Sequence, residues 1–356
     1  MKHYDYEEEF HSRDRKQFRK ERKIAQKTDR SKFKKTDLET NKEEIAHHLP
    51  RGRVIAITGE GAVVDFEGKQ VLCSLKGLMK KETAQVKNLI AVGDWVRCAE
   101  EGAIEQVEER TSVLGRSDIS GRKEQLIAVN VDQVIIAVSV VNPPLKPALV
   151  DRYLIAAEKG NIHPIIVINK IDLLEIASPE EKERYEAFLA SYTPLGIPIL
   201  SISSETKVGL ESLRSLLQNK TSVFSGQSGV GKSSLLNASF GFSLKVGELA
   251  MKTAKGSHTT TTAELIPLPG GGYCVDTPGI RSFGIWDLTR GDIVNHFTEF
   301  LNLSKECKYP DCLHITEPEC AVLAALENGK IAPLRYESYV NLLEEIASGS
   351  KAKTWS

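Results

Sequence analysis

Three short constellations in this 356-residue chain have the residue types and spacing for chemistry. The first, Gly226-Gln227-Ser228-Gly229-Val230-Gly231-Lys232-Ser233-Ser234, fits the pattern G-x-x-x-x-G-K-[ST]. Glycines at these spacings let successive backbone N–H groups turn inward around phosphate oxygens. A helix beginning at the lysine adds its positive dipole end. Lys232 would reach the β- and γ-phosphates, and the Ser233 hydroxyl would ligate Mg²⁺. The preceding "TSVF" supplies the strand from which such a loop springs.

The second constellation is Asn169-Lys170-Ile171-Asp172, at the end of the apolar run "HPIIVINK". An ionised carboxylate only accepts hydrogen bonds. Asp172 can therefore take both N–H groups on guanine's Watson–Crick edge, whereas adenine offers no such pair. Asn169 would meet N7, and the Lys170 stem can cover the base. The next apolar run ends in "SISS" (residues 201–204), which places Ser203 to brace the base. A further run, "GYCV", ends in Asp276-Thr277-Pro278-Gly279. There Asp276 can hold Mg²⁺ through water, and the Gly279 N–H can contact the γ-phosphate. Between these motifs lies "KTAKGSHTTTTAEL", a polar stretch without periodicity, which is where a γ-phosphate-ordered switch loop belongs. One of Thr259, Thr260, Thr261 or Thr262 would donate to the same Mg²⁺ site. Taken together, the motifs select GTP and GDP, with Mg²⁺, over adenine nucleotides.

The third constellation is Cys307, Cys312, His314 and Cys320, spaced C-x4-C-x-H-x5-C. Three thiolates and one imidazole complete a closed tetrahedral Zn²⁺ shell with no position left for water, so one structural ion is expected. Such an ion staples a segment too small to build its own core. Cys73, Cys98 and Cys274 lie in strand-like apolar segments and read as core residues.

These loops need elements to hold them. From about residue 125, "VDQVIIAVSVV", "HPIIVINK", "IPILSIS" and "TSVFSG" read as strands buried on both faces and separated by helical segments. That alternation predicts a doubly wound parallel sheet, whose ligands sit beyond the carboxyl ends of the strands. "PALVDRYLIAAEKG" predicts a helix opened by Pro147 and stopped at Gly160, with Leu149, Val150, Tyr153, Leu154 and Ala157 on one stripe. Ahead of it, residues 51–116 alternate β-branched runs with turns. They predict a small β-barrel, either oligonucleotide-binding or SH3-like. Trp95 there reads as a core aromatic, with a stacking platform as the alternative. A last helix near the C-terminus carries Tyr336, Tyr339, Val340, Leu343 and Ile346 on one side.

Composition excludes little but frames the rest. Net charge is −1, and 41% of residues are hydrophobic. No run approaches the ~20 apolar residues of a membrane helix, and the acidic N-terminus lacks a signal core. Six cysteines in such a length are no disulfide framework. A cytoplasmic, monomeric protein without membrane contact is the expectation. Residues 11–35 carry twelve Lys or Arg against three Asp or Glu and no helical stripe. They read as a disordered arm that either neutralises nucleic-acid phosphates or aids solubility.

The order along the chain is base-reader, base-brace, phosphate loop, switch, D-x-x-G. This is a circular permutation of the usual GTPase order, and it leaves every loop at the same sheet rim. On these motifs, with the stretch from Gly256 to Thr262 and the terminal cysteine cluster, the sequence closely resembles the ribosome small-subunit-dependent GTPase A family (RsgA/YjeQ type). The resemblance runs from about residue 51 to 348. It implies a multidomain protein: an OB-like β-barrel, a circularly permuted α/β P-loop GTPase, and a zinc-binding α-helical domain. On that basis the divisions are an arm at 1–49, the barrel at 50–116, the GTPase at 117–290 and the zinc domain at 291–356. It further implies late maturation of the small ribosomal subunit, GTP hydrolysis stimulated by that subunit, and rRNA contact through barrel and zinc domain. Many GTPases place a water-orienting Gln after D-x-x-G, but here Ile280 stands there and cannot polarise water. Slow intrinsic turnover follows. His258, beside the threonines and matching the family's histidine, is the candidate catalytic residue.

Overall fold

The computed structural model describes residues 48–75, 89–117, 124–242, 263–276 and 288–347. The basic arm up to residue 47, His258, the four threonines, Gly279 and Ile280 lie outside the described residues. The chain divides into two compact units at Asp287/Leu288.

The first unit is organised by strands that the apolar runs dictate. Five short strands come first: β1 (Arg51–Ile57), β2 (Ala62–Phe66), β3 (Lys69–Cys73), β4 (Trp95–Cys98) and β5 (Ile104–Val107). They pair in the order β3-β2-β1-β4-β5, all antiparallel. A parallel bridge from Ser74 to Ala103 joins the end of β3 to the start of β5, so the five-strand path returns on itself. Val54, Val64, Cys73, Val96, Cys98 and Ile104 fill its interior. A separate hairpin follows, β6 (Val113–Ser117) with β7 (Glu124–Val129).

The doubly wound part uses β8 (Gln133–Ser139), β9 (His163–Asn169), β10 (Ile199–Ser201), β11 (Thr221–Gly226), β12 (Glu264–Pro267) and β13 (Tyr273–Asp276). Their order is β10-β9-β8-β11-β13-β12, parallel throughout except for β12. Every residue of β8 and of β11 is buried, as strands covered on both faces require. Helices α3 (Leu210–Leu217) and α4 (Lys232–Phe240) pack Leu213, Leu217, Leu235 and Leu236 on Ile135, Ala137, Ile165 and Val167. The intervening residues Val134, Ile136 and Val138 point to the opposite face and are equally buried. Helix α1 (Pro147–Gly160) contacts β8, β9 and β11. Its expected stripe is buried throughout. The left-handed residue that ends it is Asn161 rather than Gly160, and the Asn161 N–H caps Ala157 and Glu158. Helix α2 (Pro179–Tyr192) opens with a capping box between Ser178 and Glu181.

The sheet is continuous with the five-strand part through a single pair, Ala56 to Glu264, between β1 and β12. Around it, the Tyr273 hydroxyl donates to Asp65 Oδ2 at 2.6 Å. Arg53, 7% exposed, donates to the Asn130 carbonyl at 2.9 Å. Trp95 is not a core residue. It is half-buried, with the Arg51 guanidinium 3.9 Å and that of Arg53 5.1 Å from its ring centroid. Two arginines over the π-face give the ring an electrostatic partner that alternation of apolar residues does not reveal.

The second unit is helical and short of core. Its helices are α5 (Arg290–His296), α6 (Thr298–Leu301), α7 (Ala321–Glu327) and α8 (Pro333–Ala347). Phe297, Phe300 and Tyr339 pack as one aromatic cluster with centroids 5.1–5.4 Å apart. The buried face of α8 is Leu334, Arg335, Ser338, Tyr339, Leu342 and Leu343. Tyr336, Val340 and Ile346, placed on that stripe from sequence, are only half-buried. Arg335 takes the position because it pairs with Glu299 at 2.7 Å and covers the Phe297 ring at 4.3 Å.

Candidate functional site

The candidate site is the rim where β8, β9, β10, β11 and β13 end, because parallel strands bring all their carboxyl ends to one side. The phosphate-loop sequence leaves β11 and enters α4 there, with Gly231 as the N-cap. Gly226 has φ +131°, and a Cβ at that point would stand 2.0 Å from the Ala137 carbonyl of β8. Gly231 has φ +95°, and its Cβ would stand 2.5 Å from Asn169 Nδ2. Both positions therefore demand glycine for space as well as for backbone. Lys232 folds back onto its own loop, donating to the Gly226 and Gln227 carbonyls at 2.7 and 2.8 Å. Ser233 is buried in the first turn of α4. Gln227, Ser228, Gly229, Val230 and Ser234 complete the turn.

Asn169 ends β9 and is fully buried. Its amide nitrogen donates to the Val230 carbonyl at 2.9 Å and to Ser204 Oγ at 3.4 Å. Its oxygen accepts from the Ser204 N–H at 3.1 Å. Asn169 thus ties the phosphate loop to the "SISS" loop, a bracing role that its expected contact with guanine N7 did not suggest. Ser203, also fully buried, donates to Asp172 Oδ1 at 2.5 Å and accepts from the Thr206 N–H at 3.0 Å. The hydroxyl fixes one carboxylate oxygen of Asp172 in advance. Lys170 has φ +65° and donates to the Asn142 carbonyl. Burial lowers the Lys170 pKa, partly opposed by the nearby Asp172 charge. Ile171 donates its N–H to the Ile202 carbonyl at 3.2 Å, locking the base-reading turn to the neighbouring strand end. Asp276 closes β13, two strands from β8 across β11, on the same rim.

The structure therefore brings Asn169, Lys170, Asp172, Ser203 and the Gly226–Ser234 loop together through hydrogen bonds. Sequence reasoning missed Ser204 and Asn142. Ser204 stood within a quoted motif, but Asn142 gave no signal except its position just beyond a buried strand.

In the second unit, the donor atoms of Cys307, Cys312, His314 and Cys320 all lie within 4.8 Å of one another. Cys307 Sγ is 3.6 Å from His314 Nδ1 and 3.9 Å from Cys320 Sγ, and His314 Nδ1 is 3.4 Å from Cys320 Sγ. Metal bonds of ~2.0–2.3 Å in a tetrahedron give edges of roughly 3.3–3.8 Å, so the donor set and its spacing suit such an ion. His314 sits at φ +60°, and burial holds its imidazole below the usual pKa, in the neutral form a metal needs. The turn bearing it is pinned from α8, where Tyr336 and Tyr339 donate to the His314 and Leu313 carbonyls at 2.8 and 3.0 Å. Glu317 accepts from the N–H groups of Leu313, Ile315 and Thr316 at 2.6–3.1 Å.

A parallel sheet carrying these loops in this order defines a class, the circularly permuted GTPases. The solved structure of YloQ, a circularly permuted GTPase, is 30% identical with a TM-score of 0.63, covering 88% of this chain and 100% of that one. YjeQ from Thermotoga maritima is 34% identical with a TM-score of 0.65, covering 84% and 98%. The RsgA GTPase family model matches residues 107–286. A protein named small ribosomal subunit biogenesis GTPase RsgA from Chlorobaculum parvum is 43% identical over 310 residues, 83% of this chain and 97% of the relative. The protein of that name from Serratia proteamaculans is 37% identical over 331 residues, 91% and 93%. The chain belongs to the RsgA GTPase family, and it is a GTP-hydrolysing enzyme.

Proposed function

We propose that this GTPase binds the small ribosomal subunit and assists its late maturation, with GTP hydrolysis stimulated by the subunit. The observation that carries the nucleotide part is the Asn169 bridge, which joins base-reading and phosphate-binding loops into one preformed site. In this reading Asp172 recognises the guanine edge, Lys170, Ile171 and Asn169 border the base, and Ser203 holds the carboxylate. The backbone from Gly226 to Ser234 receives the phosphates, and Lys232 leaves its loop carbonyls to meet them. Ser233 and Asp276 hold Mg²⁺, the Gly279 N–H faces the γ-phosphate, and His258 orients the attacking water. Mg²⁺ supplies charge neutralisation between the β- and γ-phosphates when bound.

The five-strand part is read as an OB-like barrel that contacts rRNA. The β3–β5 bridge, with antiparallel pairing elsewhere, supports that topology. One structural zinc at Cys307, Cys312, His314 and Cys320 shapes the second rRNA-contacting domain. The relatives' name, small ribosomal subunit biogenesis GTPase, supports the subunit as partner. The protein acts as a monomer in the cytoplasm, and among the described residues no helix is long and apolar enough to cross a membrane. Hydrolysis is read as the step that releases a GTP-dependent grip on rRNA.

The test is turnover of GTP with and without purified small subunits, with ATP as control nucleotide. Stimulated turnover specific to GTP is expected. Absence of stimulation removes the ribosomal reading, and equal use of ATP removes the base-reading one. Asp172→Asn inverts one hydrogen-bonding partner and should move preference from guanosine to xanthosine nucleotides.

A further inference from the structure

The loop that follows β8, residues 140–144, touches both halves of the nucleotide site although no phosphate or base motif lies in it. Its first N–H, on Val140, donates to the Asn169 carbonyl at 3.2 Å. Its Asn142 carbonyl accepts the Lys170 ammonium. The Pro143 carbonyl accepts from Ser139 Oγ at 2.8 Å, anchoring the loop to the end of its own strand. Pro143 Cδ lies 3.6 Å from where a Cβ on Gly229 would stand, which puts it beside the phosphate loop. The topology explains the meeting, because β8 runs between β9, which ends in the base-reader, and β11, which ends in the phosphate loop.

We propose that residues 140–144 form a third wall of the nucleotide site, in which Asn142 is a positioning residue acting through Lys170. The inference rests on the reading of this rim as a guanine-nucleotide site. A lysine stem has four rotatable methylenes and loses ~2 kcal/mol of rotamer entropy when fixed. With its ammonium docked on the Asn142 carbonyl, the stem is held beside Asp172 before a base arrives, and that ordering need not be done on binding. The contact depends on left-handed backbone on both sides, φ +45° at Asn142 and +65° at Lys170. Asparagine tolerates this region, glycine adopts it freely, and a β-branched residue does not. The site thus takes part of its affinity from a backbone carbonyl whose direction is set by the residue type at 142.

The experiment is a GDP affinity cycle on the full chain, read by a fluorescent GDP analogue, with Asn142→Val, Asn142→Gly, Lys170→Ala and the Asn142→Val/Lys170→Ala double variant. Asn142→Val should weaken GDP about threefold to tenfold, the range of one hydrogen bond. Asn142→Gly should stay within about twofold of the wild type, and the double variant should bind no more weakly than Lys170→Ala alone. Should Asn142→Val fail to fold by circular dichroism, Asn142→Ala replaces it in the same cycle with the same expected order. Wild-type affinity in Asn142→Val, or an equal loss with and without Lys170, overturns the proposal and leaves the site reading intact. A wild-type chain that does not bind GDP overturns the site reading itself, and this inference with it.

Discussion

At the nucleotide rim, Asn169 and Ser203 are fully buried and already hydrogen-bonded to neighbouring loops, and the last five residues of the strand that ends in Asn169 are buried. In the unit from Leu288 to Lys351, four donor groups converge within 4.8 Å on short helices and turns, backed by an aromatic cluster and two tyrosine hydroxyls. The rim's precision comes from long-range strand pairing, so Asn169 and Ser203 are held in place before any ligand arrives. The cysteine–histidine segment brings together thiols and an imidazole that an ion would tie. A preformed site should lose function before stability when one residue changes, and an ion-stapled one should lose both at once.

The largest effect expected to separate them is removal of the proposed zinc. Chelation, or Cys320→Ser, should unfold residues 288–347 and take the metal content from one ion per chain to none. Structural zinc contributes ~10–16 kcal/mol in zinc-finger peptides. Protease resistance of that segment after chelation would erase the contrast. Next, Lys232→Ala should lower kcat by roughly 10²-fold or more while thermal unfolding moves far less, since Lys232 donates to two carbonyls of its own loop. A large fall in Tm would mean the rim is not preformed. Ser203→Ala comes third, weakening GDP by about tenfold through loss of a charged hydrogen bond to Asp172. Equilibrium titration of GDP checks it.

The smallest effect lies outside both regions, at Glu108. Burial would raise its pKa, but hydrogen bonds and charge from Arg51 and Arg97 outweigh that and hold it below the ordinary carboxylate range. A depressed folded pKa adds stability above the unfolded value and loses it as pH falls through the folded one. Urea midpoints of wild type and Glu108→Gln should therefore differ at pH 7 and converge in acid. The gap should be no more than about 1 kcal/mol, because Arg51 is exposed and screened.

Much of the sheet was legible because buried parallel strands are continuous apolar runs, and "QVIIAVS" and "TSVFSG" became β8 and β11. The rim was legible because phosphate and guanine chemistry restrict residue types at short spacing. What escaped were contacts between loops distant in sequence, such as Asn169 with Val230 and Lys170 with Asn142. Local pattern carries no information on which loop lies next to which. Arg335 and Trp95 escaped for a related reason. Burial of one and partial exposure of the other depend on partners, Glu299, Phe297 and the two arginines, that hydropathy does not register.

The single pair between Ala56 and Glu264 has a consequence for solubility. An open sheet ends in a strand whose unpaired N–H and C=O groups can template another chain. Here β12 is one of the two edges of the doubly wound part, and β1 meets it at that pair, with the Tyr273–Asp65 bond beside it. The five-strand part thus acts as a molecular bumper on the open side of the nucleotide-binding sheet. A fragment starting after residue 107 would present β12 bare, and would be expected to self-associate edge to edge even with every nucleotide-binding residue in place.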